Sequence, residues 1–343
     1  METLMHEPSI DVFCHCLPPA YCEAVDRVAV RTPWMFARAR TIAAMVDLEA
    51  RLRVMDAFAG YQQVLSLASP APEAVAEPDA AVSLAKIAND AMAQMVEDHC
   101  DRFPGFVATL PLNHPDAALA EAERAVQQLG ALGVQIYTNV NGRPLDEPKY
   151  LALFEQMARL ERPVWLHPIR PMTHADYRSE KVSKFDLWWA LGWPYETSTA
   201  MARLVFAGVF DRWPQLSIIT HHCGGITPMM EGRFGLGLGQ LGARNPPELA
   251  DAVQTNLQEP PLRAMRRFYA DTASFGSRPA IQCAQAFFGS DRLLFATDMP
   301  FDPEGGPAYI RETLRALHEM EIDDKQRAAI LSGNARRLLQ LSD

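Results

Sequence analysis

Four short apolar runs, each ending in a residue that can bind a metal or transfer a proton, constrain the fold of this chain most strongly. The runs cover residues 10–15, 164–167, 218–222 and 293–298, and each ends in histidine or aspartate. A strand interior has no need of such residues, whereas the strand ends of α/β proteins are where catalytic side chains converge. Four such ends, spread along the chain, predict an enzyme whose site is built from separate strands.

Helical and strand patterns alternate between these runs. Repeated strand-then-helix units imply parallel strands, and about eight strands is the number of a (β/α)8 barrel. We therefore predict an α/β fold, a single (β/α)8 TIM-barrel domain over residues 1–343 with loop insertions and extra C-terminal helices; a doubly wound open sheet is the alternative. The further strand patterns lie at 63–67, 106–111, 134–137 and 268–271, and the helical patterns at 85–99, 115–132, 150–160, 196–210, 279–288, 324–331 and 335–341.

Charge and composition narrow the class of partner. The formal net charge is −10, from 32 basic and 42 acidic residues, which argues against nucleic acid or an anionic membrane as a partner. No apolar run approaches the about 18–20 residues that a membrane span needs, and residues 1–7 lack the features of a signal peptide. The six cysteines are scattered, so we predict reduced thiols and a cytoplasmic location.

Two stretches interrupt the alternating pattern. Residues 69–79 are rich in Pro, Ala and Glu, which predicts a surface loop. The second stretch, residues 170–193, is rich in aromatic side chains, and a long loop after a barrel strand is a natural lid or substrate wall. An aromatic patch at a subunit interface explains that composition equally well. The aromatic residues are Tyr177, Phe185, Trp188, Trp189 and Trp193.

The first apolar run places its side chains alternately on two faces of a strand. Asp11, Phe13 and His15 share one face, and Cys14 and Cys16 share the other. We expect His15 to face the barrel mouth while the two thiols pack outside. A Cys/His metal knuckle is not favoured, because no second cysteine pair lies at zinc-finger spacing.

The other three apolar runs also end in residues that can bind a metal or transfer a proton. His167 precedes Pro168, which stops the strand, and a neutral imidazole there is a good ligand for a divalent ion. Alternation predicts that only one of His221 and His222 enters the site. Asp298 ends an apolar strand, where a buried carboxylate needs a cation or hydrogen bonds; a helix cap is the alternative role.

These residues, in this order and spacing, resemble the amidohydrolase superfamily, in the branch of the aminocarboxymuconate-semialdehyde and dihydroxybenzoate (resorcylate) decarboxylases. The resemblance implies a (β/α)8 barrel, metal-ligand roles for His15, His167 and Asp298, and a catalytic His222 beside the metal. His221 would then be an outward, structural neighbour. The matching segments are 10–19, 88–90, 101–111, 133–144, 165–168, 192–197, 221–225 and 297–300.

One position departs from that family pattern. The family opens with His-x-His or Glu-x-His on its first strand, and here the first of those positions is Phe13, which cannot ligate a metal. Three protein ligands still suffice for a catalytic metal with an open position. We expect a lower metal affinity, and a metal-free site, as in some lactone-hydrolysing relatives, is the alternative.

The resemblance implies a nonoxidative decarboxylase that acts on an aromatic or unsaturated carboxylic acid with one divalent ion, Zn²⁺ or Mn²⁺. A carboxylated sp² carbon must be protonated before CO₂ leaves, and Asp298 or His222 is the candidate acid. Phe13, Arg170 and Arg233 are predicted to contact the substrate. Other candidate arginines for the substrate carboxylate are Arg38, Arg40 and Arg143.

Several alternatives stay open at this point. The same residues could activate water against a lactone, ester or amide, with Asp298 as the base, in a hydrolase or hydratase. Loss of a ligand at Phe13 could instead mark a binding protein with a decayed site. Asp271 is predicted to cap residues 272–274 rather than to support the site. Relatives are commonly dimers, which implies a homodimer.

Overall fold

Eight parallel strands form one sheet whose order follows the sequence. The computed structural model describes residues 8–29 and 34–341. A short antiparallel hairpin, Asn139–Val140 with Arg143–Pro144, lies outside this sheet. The strands are β1 (Ser9–Cys16), β2 (Tyr61–Leu67), β3 (Gly105–Thr109), β4 (Gly133–Tyr137), β5 (Val164–His167), β6 (Ile218–Thr220), β7 (Tyr269–Asp271) and β8 (Leu293–Leu294).

The chain beyond β8 closes the sheet against β1. The amide of Val12 donates to the carbonyl of Phe295 at 3.0 Å, and the amide of His15 donates to the carbonyl of Met299 at 2.8 Å. With these bonds the first and last strands are neighbours, as a barrel requires. The predicted (β/α)8 barrel is confirmed, and the open-sheet alternative is wrong.

Helices connect the strands and surround them. Several begin with proline in the first turn, where its missing N–H costs nothing and its fixed φ suits the helix. The α-helices are Pro19–Val28, Trp34–Ala39, Ala43–Val46, Leu48–Asp56, Pro72–Val75, Pro78–Asp98, Pro115–Gln128, Pro148–Arg159, Leu187–Ala190, Gly192–Phe206, Val209–Arg212, Pro261–Met265, Arg278–Phe288, Pro307–His318, Asp324–Ala328 and Asn334–Leu339.

The core has two layers, one inside the barrel and one between the strands and the helices. Inward side chains such as Val12 and Phe13 pack inside the barrel. Cys14 and Cys16 pack in the layer between the strands and the helices. The predicted outward facing of Cys14 and Cys16 is confirmed, but Asp11 does not share the face of Phe13. A β-bulge between Asp11 and Cys14 shifts the alternation, and Asp11 accepts a hydrogen bond at 2.6 Å from Tyr61 of the outer layer. All six cysteines are free thiols.

The segment at residues 69–79 differs from its prediction as a surface loop. It contains the short helix Pro72–Val75 and the first turn of Pro78–Asp98, and the side chains of Ser69 and Glu73 are buried. Its alanines and prolines are small enough to pack under the neighbouring loops, so a composition typical of loops did not mean exposure. The prediction of a surface loop is wrong here.

Two further predictions concern a signal peptide and membrane-spanning helices. Residues 1–7, on which the expected absence of a signal peptide rests, lie outside the described residues. Across 8–29 and 34–341, no helix combines the length and apolar character needed to cross a membrane.

Candidate active site

Three histidines and one aspartate from four strand ends meet at one mouth of the barrel. The ligating nitrogens of His15, His167 and His221 lie within 4.8 Å of one another. The Oδ1 atom of Asp298 lies 3.1 Å from Nε2 of His15 and 3.4 Å from Nε2 of His221. All four side chains are buried. This His/Asp cluster is where the four apolar runs of the sequence converge.

Each histidine of the region has its Nδ1 atom engaged by a neighbour. Fixing Nδ1 in this way sets the ring orientation and leaves Nε2 directed to the centre, as in metal sites. The Nδ1 contacts are His15 to Oγ of Ser66 at 3.0 Å, His167 to the carbonyl of Pro168 at 2.6 Å, His221 to the carboxylate of Asp271, and His222 to the carbonyl of Ala273 at 2.7 Å.

The donor atoms of the cluster fit a divalent cation. Nε2 of His15 is buried and lies 3.1 Å from the carboxylate of Asp298, so both donor atoms face the position that a cation would occupy. Burial lowers the pKa of His15 and of His167, which keeps both imidazoles neutral and able to donate a lone pair. Neutral imidazoles together with a carboxylate are ligands that Zn²⁺ and Mn²⁺ accept.

Asp298 is held in an unusual backbone conformation. Its φ is +67°, in the left-handed region, and its amide donates to the carbonyl of Phe13 at 3.1 Å. Burial alone would raise the pKa of Asp298, but hydrogen bonds from His15 and His221 outweigh it and hold that pKa well below its usual range. The carboxylate is therefore ionised and can ligate a cation.

The prediction that His221 faces away from the site is wrong. β6 ends at Thr220, and His222 and Cys223 have φ values of +54° and +59°, so strand alternation does not extend past β6. The rings of His221 and His222 stack with centroids 3.8 Å apart. His221 is fully buried in the cluster, and His222 is half-buried on its solvent side.

The prediction that Asp271 caps residues 272–274 misses its main role. One carboxylate oxygen bonds Nδ1 of His221, and the other accepts the amides of Cys223 at 3.1 Å and Ala273 at 3.0 Å. Burial lowers the pKa of His221, but Asp271 and Asp298 outweigh that effect and raise it to about 9. Asp271 therefore orients the His221 ring, with its Nε2 atom toward Asp298.

Two glycines allow the turn that follows β6. A Cβ on Gly225 would lie 2.4 Å from the carbonyl oxygen of Pro194, and one on Gly224 would lie 2.8 Å from the ring of Phe288. Both glycines have positive φ. Glycine is needed here because the backbone turns sharply and approaches its neighbours closely.

A cavity of about 460 Å³, the apolar cavity, opens beside the His/Asp cluster. Trp193 joins the two, since its ring centroid lies 5.4 Å from that of His167 and 6.3 Å from that of His222. Residues 170–193 therefore supply part of the cavity wall, and their two predicted roles, substrate wall or subunit interface, stay predictions. The lining of the apolar cavity includes Trp189, Trp193, His222, Ile226, Met229 and Phe275.

A family model described as amidohydrolase matches residues 10–341. The chain belongs to the amidohydrolase family. It is 31% identical to a 2-amino-3-carboxymuconate-6-semialdehyde decarboxylase of Dictyostelium discoideum, with 78% of this chain and 69% of the relative covered. It is also 31% identical to a gamma-resorcylate decarboxylase of Rhizobium sp. (strain MTP-10005), with 87% and 88% covered.

Solved structures agree with this family. A dihydroxybenzoic acid decarboxylase from Polaromonas sp. JS666, with bound manganese and the inhibitor 2-nitroresorcinol, superposes with a TM-score of 0.79 at 26% identity, covering 97% of each chain. The predicted family is confirmed.

In this amidohydrolase, the Phe13 ring packs against the histidines of the cluster. Its side chain is fully buried, and its ring stacks on that of His221 with centroids 3.8 Å apart. It also packs within 5.7 Å of the rings of His15 and His167. The Phe13 ring has no exposed surface, and its predicted contact with substrate stays a prediction.

Arg51 is a residue of the site that the sequence did not single out. Its buried guanidinium donates to the carbonyl of His15, to the carbonyl of Ala44 at 3.1 Å and to Oε1 of Gln63 at 2.6 Å. These bonds fix the position of the C-terminal end of β1. Arg51 lies in the helix Leu48–Asp56 among other charged residues, so no sequence signal distinguishes it.

The two arginines predicted to contact substrate lie elsewhere. Arg170 pairs with Glu196 at 2.8 Å and lines a different cavity of about 610 Å³, beside Tyr137. Arg233 is exposed, and within the described part of the chain it lines neither cavity. The structure thus brings His15, His167, His222 and Asp298 together, but neither arginine with them.

Proposed function

We propose that this protein is a metal-dependent nonoxidative decarboxylase, a carboxy-lyase acting on a small aromatic or unsaturated carboxylic acid. The observation that carries the proposal is the His/Asp cluster, in which four strand ends direct buried donor atoms to one point. Relatives at 31% identity are decarboxylases of such acids, which supports the same reaction class here.

His15, His167 and Asp298 are the proposed metal ligands, with Nε2 of His221 also within reach of the same centre. A bound divalent ion would supply positive charge that holds the substrate carboxylate and stabilises developing oxygen charge. The manganese of the Polaromonas relative supports Mn²⁺, and the donor set suits Zn²⁺ equally.

Proton delivery is the chemical task left to the protein side chains. We propose Asp298 and His222 as the catalytic pair, because His222 reaches both the cluster and the apolar cavity. Burial, followed by the charge on His221, lowers the pKa of His222 to about 4, so this ring is neutral at rest and, once protonated, gives up its proton readily. His221 is the competing donor, because Asp271 holds its Nδ1 atom and its Nε2 atom faces the cluster.

Two single variants distinguish His222 from His221 as the proton donor. We expect His222→Ala to reduce turnover by about 10²–10⁴-fold, the usual range for a lost acid or base, while metal content stays at the wild-type level. His221→Ala should lower metal content and turnover together. Wild-type turnover in His222→Ala would remove His222 from the mechanism.

Product identity tests the reaction class itself. The Mn²⁺-loaded protein is given hydroxybenzoates, muconate-type acids and aromatic lactones, and both CO₂ and new carboxylate are measured. The proposal predicts CO₂ with loss of one carboxylate. A new carboxylate from a lactone, without CO₂, would instead establish the hydrolase alternative. The homodimer and the cytoplasmic location remain predictions.

A further inference from the structure

The apolar cavity contains more space than a hydroxylated benzoate ring fills. Its volume is about 460 Å³. A cavity of about 150 Å³ is enough for a benzene ring. A substrate of the size of dihydroxybenzoate, seated with its carboxylate at the His/Asp cluster, would therefore leave most of this cavity empty.

The lining of the cavity is almost entirely hydrocarbon, aromatic ring and sulfur. Trp189, Ile226, Met229, Phe275 and Cys283 face it, and within the described chain no Lys, Arg, Asp or Glu lines it. Hydroxyl groups placed there would lose hydrogen bonds to water and find few replacements. The cavity therefore matches an apolar group rather than further hydroxyl or carboxylate groups.

The ionisable side chain that links the apolar cavity to the His/Asp cluster is His222, and Ser274 and Ser277 add two hydroxyl groups to the lining. His222 lines the apolar cavity and stacks on His221 of the cluster. Arg170, which could have bound a second carboxylate, is paired with Glu196 in the other cavity. A bound acid is thus oriented with its carboxylate at the cluster and its remaining substituents toward Trp189 and Phe275.

We infer that the substrate carries a bulky apolar substituent, of the size of an alkyl chain of several carbons or a second ring, which occupies the apolar cavity. This inference rests on the proposed function for the position of the carboxylate. It makes the walls of the cavity, and Ala280 and Met229 in particular, determinants of substrate choice. The acid is then more hydrophobic than the dihydroxybenzoates of the relatives.

Chain-length dependence of binding tests the inference. Dissociation constants are measured by calorimetry on Mn²⁺-loaded protein for 2-hydroxybenzoates whose ring bears unbranched alkyl chains of increasing length at each open position. Burying one methylene contributes about fourfold in affinity. We expect affinity to rise by about that factor per carbon for at least one ring position.

A variant that fills the apolar cavity, with a matched control on the same helix, tests the inference a second way. Ala280→Trp, on helix Arg278–Phe288, places a ring into the cavity, whereas Ala286→Trp on the same helix adds the same ring at an exposed position. We expect Ala280→Trp to abolish the chain-length dependence, because the added ring occupies the space that the alkyl chain would fill. Ala286→Trp should behave as wild type.

Two results would overturn the inference: wild-type affinity that does not rise with chain length at any position, including no measurable binding at all, or a rise that survives in Ala280→Trp. CO₂ release is scored separately on the same acids. Chain-dependent binding without CO₂ would refute the decarboxylase proposal and leave the cavity assignment standing, so the two failures are distinguishable.

Discussion

At the residue scale, the site depends on which nitrogen of each histidine is already engaged. Ser66 and the Pro168 carbonyl hold Nδ1 of His15 and His167, so their Nε2 atoms are directed to one centre. Such supporting contacts fix ligand orientation before a metal arrives. The protein therefore presents ordered ligands, and the loss of one is not compensated by a neighbour.

His167→Ala should weaken divalent-metal binding by more than the roughly 10–100-fold that loss of a mere supporting contact produces. His174→Ala is the matched control, because His174 is exposed and lines the other cavity. Metal affinity is measured by calorimetry with Mn²⁺ on chelator-treated protein. Equal affinity in both variants would exclude His167 as a ligand.

Asp271→Asn tests the contact behind His221. The change removes the charge that orients this ring, so we expect metal affinity or turnover to fall by roughly 10–100-fold while the fold is kept. Asp101→Asn, at an exposed position, should change neither quantity. Circular dichroism and metal content are recorded on the same samples, and wild-type values for Asp271→Asn would contradict this role.

Residue roles were predictable where strand periodicity holds and not beyond it. His15, His167 and Asp298 could be singled out because apolar strands end at them. The facing of His221 could not, because the backbone turns into left-handed conformations directly after β6. The pairing of Arg170 depends on Glu196, 26 residues away on another element, and no local pattern shows it.

At the scale of elements, the turn after β6 determines where two histidines point. Gly225 has a φ of +65° and lies against the carbonyl of Pro194, at the start of the helix Gly192–Phe206. A side chain at this position would push the turn away from that helix. The β6 turn and the helix are therefore coupled by contact.

Gly225→Ala should destabilise the protein by roughly 1–3 kcal/mol for the left-handed conformation alone, with a further loss from the clash. Gly232→Ala is the control, since a Cβ there meets nothing within 4 Å and its φ is −63°. Guanidinium unfolding of both variants gives the free energies. Indistinguishable midpoints for the two variants would contradict this account of the turn.

Glu73, in the short helix Pro72–Val75, is expected to make the stability of the protein depend on pH. Burial raises the pKa of Glu73 to about 8, against about 4.3 in an unfolded chain. Between these values the folded protein keeps a proton that the unfolded chain releases, so the free energy of unfolding falls with rising pH, by up to about 1.4 kcal/mol per unit.

Glu73→Gln removes this dependence, because glutamine does not titrate. We expect the variant to match wild type near pH 4 and to become progressively more stable than wild type as pH rises to 8. Urea unfolding across this range measures the difference, and Glu248→Gln at an exposed position is the control. Parallel stability profiles for Glu73→Gln and wild type would show that Glu73 is ionised in the folded protein.

Elements were predicted best where hydrophobic runs were long and bounded by turns. β5 matches its prediction, and the helix Pro115–Gln128 matches within a few residues at its end. The segment around Glu73 was not predictable, because burial of an Ala/Pro-rich stretch is decided by the loops that cover it. The amino-acid composition of the segment does not show which loops pack over it.

At the scale of the whole molecule, the His/Asp cluster ties together strands that are far apart in sequence. His15 and Asp298 come from the first and last strands, whose backbone bonds close the barrel. The eight-strand count and the family resemblance were readable from the sequence because each strand repeats the same pattern. Closure itself needs the register of residues 295–299 against β1, which only the structure gives.

Metal binding should therefore stabilise the entire barrel. A ligand at about 100 times its dissociation constant adds about 2.7 kcal/mol to the free energy of unfolding. We expect saturating Mn²⁺ to raise the melting temperature of chelator-treated protein by several degrees, and to leave a His15→Ala/Asp298→Ala double variant unchanged. Differential scanning calorimetry measures both, and an equal shift in the double variant would place the metal elsewhere.

The most direct test of the central claim is CO₂ release from hydroxybenzoate and alkylated hydroxybenzoate acids, by one protein sample taken through metal removal and reloading. The account predicts CO₂ from the loaded protein, loss of at least about 100-fold after chelation, and recovery on adding Mn²⁺ or Zn²⁺. CO₂ release that is unchanged by complete metal removal, or its absence from a fully loaded protein across the series, would contradict it.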